Sequence, residues 1–324
     1  MGRDIKNWIR WGVLVAVAFY LCLAVQAQDS RAWSGAFGML WQWPLLLALV
    51  LGVASWVVEA HKWKLLVEPL QPASLGSALR ATLVGTSMGI FTPNRTGEWF
   101  GRALQTDQGM RARAGLAALL GSTAQTVATA LFGLLALLLV PMVVRSGSII
   151  RDALPTLSII AGACAVVLLW LYFHPRALHA LTSILPLPRS IKQASGHLLR
   201  YAPMDRTRFL GWSALRYMLF AAQFALLIVV CTGTTDGKSA LVAVPIIYLA
   251  TTLIPTMLLS ELGVRGSAAV ALLAPAGMSE PGILVACLTM WLMNVVAPAV
   301  FGVVLLWAER KEASGIRTST VQPA

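Results

Sequence analysis

Pro93-Asn94-Arg95-Thr96-Gly97-Glu98-Trp99-Phe100-Gly101-Arg102 and Pro255-Thr256-Met257-Leu258-Leu259-Ser260-Glu261-Leu262-Gly263-Val264-Arg265 are two polar stretches in an otherwise apolar chain. Each follows an apolar run, opens on a proline, and carries a Glu followed one helical turn later by an Arg, with a Gly between them. Charges and helix breakers at membrane depth are costly, and they persist where they line a protein-enclosed or watery cavity. Their recurrence in the two halves of the chain predicts a site built between two repeats, as in membrane transporters.

The composition agrees. The chain is 58% hydrophobic and 12% charged, with a mean hydropathy of +0.75, whereas a soluble domain carries about twice that charge fraction. The net charge of +12 is scattered over short loops. It therefore reads as cytoplasmic-side and headgroup-facing charge rather than a nucleic-acid surface. Cys22, Cys164, Cys231 and Cys287 all sit in apolar runs without CxxC spacing, so free buried thiols are expected. His61, His174, His179 and His197 have no metal-ligand spacing and read as solvated residues of basic loops. No metal or other cofactor is expected.

Apolar runs long enough to cross about 30 Å of hydrocarbon occur at 8–25, 39–58, 114–140, 153–173, 209–231 and 282–307. The amino end has the outline of a signal peptide, with Arg3, Lys6 and Arg10 before an apolar run and Val25-Gln26-Ala27 after it. The run is long enough to span, so an uncleaved first helix is expected. Stretches 75–104 and 240–275 are apolar but interrupted by Pro, Gly and charge, and suit two half-crossing arms better than two full spans. Tryptophans at 8, 33, 41, 43, 63, 212 and 307 fall near span ends, where indoles anchor to headgroups.

Loop charge sets the orientation. His61, Lys62 and Lys64 follow the second run, and Arg111 and Arg113 precede the third. Segment 174–208 holds Arg176, Arg189, Lys192, Arg200, Arg206 and Arg208 against Asp205. Arg310, Lys311 and Arg317 follow the last run, and the alternate loops are nearly balanced apart from Arg145 and Arg151. Both termini are then cytoplasmic. The expected architecture is an all-α polytopic membrane protein, with six full spans and two re-entrant hairpins in an inverted repeat. Its halves are 1–145 and 151–310, its basic cytoplasmic loop is 174–208, and 311–324 is a flexible tail. The alternative counts the hairpins as crossings and gives eight or more full spans.

In the first polar stretch, Pro93 and Gly97 bracket a break, and a helix restarting near Thr96 would aim free N–H groups at the protein centre. Asn94, Arg95, Thr96, Glu98 and Arg102 are the candidate binding residues there, with Glu98 and Arg102 placed to pair. Thr256, Ser260, Glu261 and Arg265 repeat the arrangement, with Pro255 and Gly263 as the matching breaks. The plain structural alternative is that each Glu–Arg pair only neutralises itself. Arg216 either snorkels to the cytoplasmic face or reaches a cavity carboxylate, and Gln125, Gln223 and Asn294 suit interhelical hydrogen bonds. No catalytic triad, phosphate-binding loop or metal cluster is legible.

On these motifs the chain resembles the transmembrane region of lysylphosphatidylglycerol synthase, a family of flippase-like integral membrane proteins. The resemblance rests on Pro93, Gly97, Glu98 and Arg102, and on Pro255 with Leu262-Gly263-Val264-Arg265. It implies a bacterial inner-membrane protein concerned with lipid translocation. The soluble synthase domain is expected to be absent, because the chain stops soon after the last apolar run. Two departures put the substrate in doubt: Gly121-Ser122-Thr123-Ala124-Gln125 stands where many relatives carry charge, and Glu261 lies before rather than after the Leu-Gly-Val-Arg run.

The leading expectation is a lipid flippase-like transporter, not an enzyme, that binds or moves a polar phospho- or glycolipid headgroup. Arg95, Arg102 and Arg265 would meet the phosphate, and Glu98 and Glu261 a cationic or hydroxyl part. The alternative is a non-catalytic partner subunit of a separate glycosyltransferase or lipid synthase, docking through 174–208. A lipid-modifying enzyme would need a base and a nucleophile that the sequence does not assemble.

Overall fold

The computed structural model describes residues 30–41, 43–90, 92, 95–140, 149–184, 189–253 and 258–319, and these are almost wholly helical. In chain order the helices are α1 (Ser30–Gly38), α2 (Pro44–Val67), α3 (Leu75–Gly89), α4 (Gly97–Leu104), α5 (Arg111–Leu139), α6 (Ile149–Phe173), α7 (Pro175–Ile184) and α8 (Arg189–Ser195). They continue with α9 (Pro203–Thr232), α10 (Gly237–Leu253), α11 (Leu258–Leu273), α12 (Glu280–Trp291) and α13 (Ala297–Ser319). A π-helical turn, Leu292–Val296, joins the last two.

Among the described residues, five helices are long and apolar enough to cross a membrane: Pro44–Val67, Gln108–Leu139, Leu154–Phe173, Pro203–Thr232 and Glu280–Ala308. These match five of the expected runs. The expected span at 8–25, with Cys22, lies outside the described residues. The ends of these helices follow from local chemistry. Pro44 and Pro203 occupy first turns, where the missing N–H costs nothing. Asp205 accepts a hydrogen bond from the Ala202 N–H at 3.0 Å, and Gly233 closes α9 in the left-handed conformation at φ 65°.

The two interrupted stretches fold as helical pairs. Helices α3 and α4 have 15 and 8 residues, so they rise only about 22 and 12 Å. Helices α10 and α11 have 17 and 16 residues, about 26 and 24 Å long. Each falls short of the hydrocarbon thickness. Ser74 starts α3 with a capping box, accepting from the Ser77 N–H at 3.1 Å while its own N–H donates to Ser77 Oγ at 3.0 Å.

Among the described residues two large hydrophobic cores organise the fold, beside a small cluster of Leu137, Val140 and Leu154. One gathers Trp63, Leu66, Ala78, Ala81, Ala117, Leu120 and Phe209, from α2, α3, α5 and α9. The other gathers Ala48, Phe224, Leu227, Ile247, Ala269, Ile283 and Met290, from α2, α9, α10, α11 and α12. Helices α2 and α9 run through both, so this pair is the spine. Each short pair also packs on a long helix distant in sequence. Gly302 of α13 sits against the Leu83 carbonyl of α3, and a Cβ on Gly133 of α5 would lie 2.9 Å from Leu249 Cβ of α10.

Several loop assignments change. Helix α2 continues unbroken to Val67, so Lys62 is an interior residue at 1% exposure rather than a loop cation. Segment 174–208 is largely helical, and Arg206 within it is buried at the head of α9. There its guanidinium donates to the carbonyls of Leu198, Tyr172 and Tyr201. A single side chain thus ties the end of α6 and the 196–200 turn to α9. His197 is buried against Tyr201 rather than solvated. Burial, with Arg200 and Arg113 nearby, holds its pKa below the usual value. Trp63 is a core residue, while Trp43 and Trp307 stay exposed as anchors should. Cys231 and Cys287 are buried free thiols, whereas Cys164 is free but exposed on α6 rather than buried.

A close backbone approach between α3 and α4 tests the packing. A Cβ on Gly101 would stand 2.6 Å from Gly85 Cα, a backbone atom that cannot rotate away. Gly101→Ala is therefore expected to destabilise the protein by about 1–3 kcal/mol, read as a lower thermal midpoint in detergent. Gly109→Ala, with nothing within 4 Å, should leave the midpoint unchanged.

Candidate functional site

Between the two cores lies a cavity of about 540 Å³. Each wall is polar because helical spacing stacks polar residues on one face. Helix α2 presents Ser55, Glu59 and Lys62, and α5 presents Ser122, Gln125, Thr126 and Thr129. The α3–α4 connection and α4 supply Thr92, Arg95, Thr96, Glu98, Trp99 and Arg102. Arg216 and Phe220 come from α9, Tyr248, Thr251 and Thr252 from α10, and Glu261 and Arg265 from α11. Asn294 and Val295 reach in from the π turn, a distortion that often marks a functional position.

The two repeated Glu–Arg motifs, remote in sequence, meet here. Arg95 Nε lies 3.5 Å from Glu261 Oε2, and its Nη1 lies 3.6 Å from Glu98 Oε1. Glu261 accepts from Arg265 one turn on, and Arg265 lies over the Tyr248 ring at 5.4 Å. Among the described non-glycine residues, Arg95 alone has a positive φ, at 56°. That conformation is strained for a long side chain, and it occurs where Arg95 bridges the two Glu–Arg motifs.

A deeper cluster surrounds Glu59, which is 3% exposed. Arg102 Nη1 donates to its Oε1 at 2.8 Å, Lys62 Nζ lies 2.8 Å from its Oε2, and Arg216 Nη1 lies 3.4 Å from the same oxygen. Lys62 also donates to the Gly121 carbonyl at 3.3 Å and to Ser213 Oγ at 3.1 Å. Arg102 reaches Glu98 Oε2 at 3.7 Å. The ion pairs therefore run continuously from Lys62 and Arg216 through Glu59, Arg102, Glu98, Arg95 and Glu261 to Arg265.

Of the residues singled out from sequence, Arg95, Thr96, Glu98, Arg102, Glu261 and Arg265 all line the cavity. Ser260 is buried in α11 but is not part of the lining. Pro93, Asn94, Pro255 and Thr256 lie outside the described residues. The break near Gly97 is real, since α4 begins there. Gly263 is different: it sits inside α11, where the helix continues through it. The Gly97 N–H does not face the cavity freely either, because it donates to Thr92 Oγ1 at 2.7 Å. Guanidinium groups, rather than open helix N–H groups, carry the positive potential. Arg216 takes the cavity option, held by Glu59 and by Gln125 Oε1 at 3.5 Å. Asn294 Nδ2 donates to Gln223 Oε1 at 2.9 Å, the interhelical bond expected of them.

Glu59 and Lys62 are not legible as site residues in the sequence. The apolar run preceding them ends at position 58, so both look like loop charge. The signal that could have found them is their register: Ser55, Glu59 and Lys62 recur at helical spacing on one face.

The fold and the cavity define the chain as a polytopic helical membrane protein with a charged internal site. Residues 9–302 match the family described as Lysylphosphatidylglycerol synthase TM region. The chain belongs to that family. Comparison with curated proteins and with solved structures finds no match. Among the described residues no group of His, Cys, Asp and Glu is arranged to hold a metal ion.

Removing one member of a buried ion cluster strands the others. Glu59→Gln leaves Lys62, Arg102 and Arg216 facing one another, and is expected to cost about 3–5 kcal/mol. Glu98→Gln, at a side chain 19% exposed, should cost less than half of that. Thermal unfolding of the two variants in one detergent checks the order.

Proposed function

We propose that this protein is a lipid flippase-like carrier that takes the polar headgroup of an anionic membrane lipid into the central cavity. The observation that carries the reading is the charge of the lining. Lys62, Arg95, Arg102, Arg216 and Arg265 face three carboxylates, Glu59, Glu98 and Glu261. An interior site with surplus positive charge is unfavourable when empty and favourable around an anion. Membership of a family of membrane regions tied by name to a phospholipid synthase supports a lipid as the source of that anion.

The architecture suits movement. Under this reading α3–α4 and α10–α11 are re-entrant hairpins of an inverted repeat. Their tips meet through Arg95 and Glu261, and each hairpin packs on the opposite half. Rocking one half against the other would break that contact and open the cavity to alternate leaflets. Both termini face the cytoplasm of a bacterial inner membrane, and acyl chains stay in the bilayer while the headgroup crosses. The Glu98 and Glu261 carboxylates would receive cationic or hydroxyl parts of the headgroup. No chemical step on the lipid is assigned to any residue.

Arg95 is the residue to change, because its side chain is 32% exposed and its loss spares the buried cluster. In phosphatidylcholine proteoliposomes carrying a trace of acyl-chain-labelled phosphatidylglycerol or phosphatidic acid, the wild-type protein should bring inner-leaflet label to an outside quencher. Arg95→Gln should slow that transfer by about tenfold, the equivalent of one charge-assisted contact, with an unchanged elution profile. Transfer at the protein-free rate by the wild type would refute the carrier reading.

A further inference from the structure

The surplus positive charge is not spread evenly along the cavity. At one end Arg95 and Arg265 face Glu98 and Glu261, and the charges balance. At the other end Lys62, Arg102 and Arg216 surround the Glu59 carboxylate, with Arg102 also reaching Glu98 at 3.7 Å. The surplus positive charge is therefore concentrated towards the Glu59 end, at the spine formed by α2 and α9.

The donors at that end are not equally free to bind. The Lys62 ammonium is spent on Glu59, the Gly121 carbonyl and Ser213 Oγ. Arg102 is 5% exposed and turned to Glu59 and Glu98. Arg216 differs in being 21% exposed with only one terminal nitrogen engaged, and its Nε, like that of Arg102, is buried without a hydrogen-bond partner. Across from it on α5, Gln125 lends its oxygen to Arg216, while its Nε2 is also buried without a partner. Buried donors without acceptors are rare in native structures and costly. Those of Arg216 and Gln125 stand together, with that of Arg102 nearby, where positive charge is in surplus.

We propose that the Arg216–Gln125 edge is an anion subsite for a terminal phosphate, a monoester carrying close to two negative charges, rather than for a singly charged phosphodiester. A phosphate monoester near neutral pH carries about −1.5 to −2 charge and three acceptor oxygens. It matches both the surplus charge and the waiting donors. A diester brings one charge and leaves the cluster positive. The inference rests on the headgroup reading above and narrows its substrate class. Lipid phosphate and free phosphate share this chemistry, so the test separates them.

Native mass spectrometry of the full-length protein, released from phosphatidylcholine nanodiscs doped equally with phosphatidic acid and phosphatidylglycerol, reads the preference directly. The wild type should retain phosphatidic acid about tenfold over phosphatidylglycerol. Arg216→Gln should bring the two within about twofold, and Arg216→Lys, which keeps the charge but loses the Nε donor, should retain a preference between that of the wild type and that of Arg216→Gln. If Arg216→Gln does not fold, the wild-type ratio still decides. Displacement of phosphatidic acid by millimolar inorganic phosphate would uphold the subsite and make free phosphate a ligand too, while resistance to it would assign the subsite to lipid. Equal retention of both anionic lipids above the phosphatidylcholine background overturns the dianion subsite and leaves the headgroup reading standing. Retention of neither overturns both.

Discussion

A carboxylate in the middle of a membrane-spanning helix must be neutralised by its neighbours, and Glu59 draws its partners from three places. Lys62 comes from its own helix, Arg102 from α4 and Arg216 from α9. Each fixes a different piece of the fold. Lys62 reaches past Glu59 to the Gly121 carbonyl and Ser213, which ties α2 to α5 and α9. Arg102 holds α4 down beside α3, where Gly85 and Gly101 allow backbones to touch. Arg216 keeps the α9 face of the cavity polar. The geometry that settles Glu59 thereby builds the wall of a binding site.

The same arrangement explains why two short helical pairs can persist inside a membrane protein. Breaks in a helix expose backbone groups that lipid cannot satisfy, so they must be enclosed by protein. Thr92 meets this need locally by donating to the Gly89 carbonyl and accepting from the Gly97 N–H. Arg95 meets it at longer range by joining the break to Glu261. Its left-handed backbone has a cost that only a fixed contact would offset.

The elements most legible in the sequence are those with strong local signals. Long apolar runs become α2, α5, α6, α9 and the α12–α13 pair because hydrophobic length alone specifies a crossing. The Glu–Arg motifs are also legible, because charge set in an apolar background must face a polar interior rather than lipid. Harder to see is anything depending on where a helix ends. Glu59 and Lys62 sit just past an apolar run, and composition cannot distinguish a polar helical turn from a loop. Arg206 reads as loop charge for the same reason, although its partners are three backbone carbonyls, one of them 34 positions away along the chain. Gly263 shows the opposite error: a single glycine costs a helix interior only about 1 kcal/mol, and α11 continues through it.

The central claim is that the cavity holds the headgroup of an anionic lipid. It is tested most directly by extracting the protein gently from its membrane and identifying the lipids that leave with it by mass spectrometry. A folded variant with Arg95→Gln and Arg216→Gln is treated in parallel. The account predicts one class of anionic lipid enriched over the bulk membrane in the wild type and reduced to bulk proportion in the variant. The same bulk mixture in both would contradict it, and would make the charged cavity a packing device rather than a binding site.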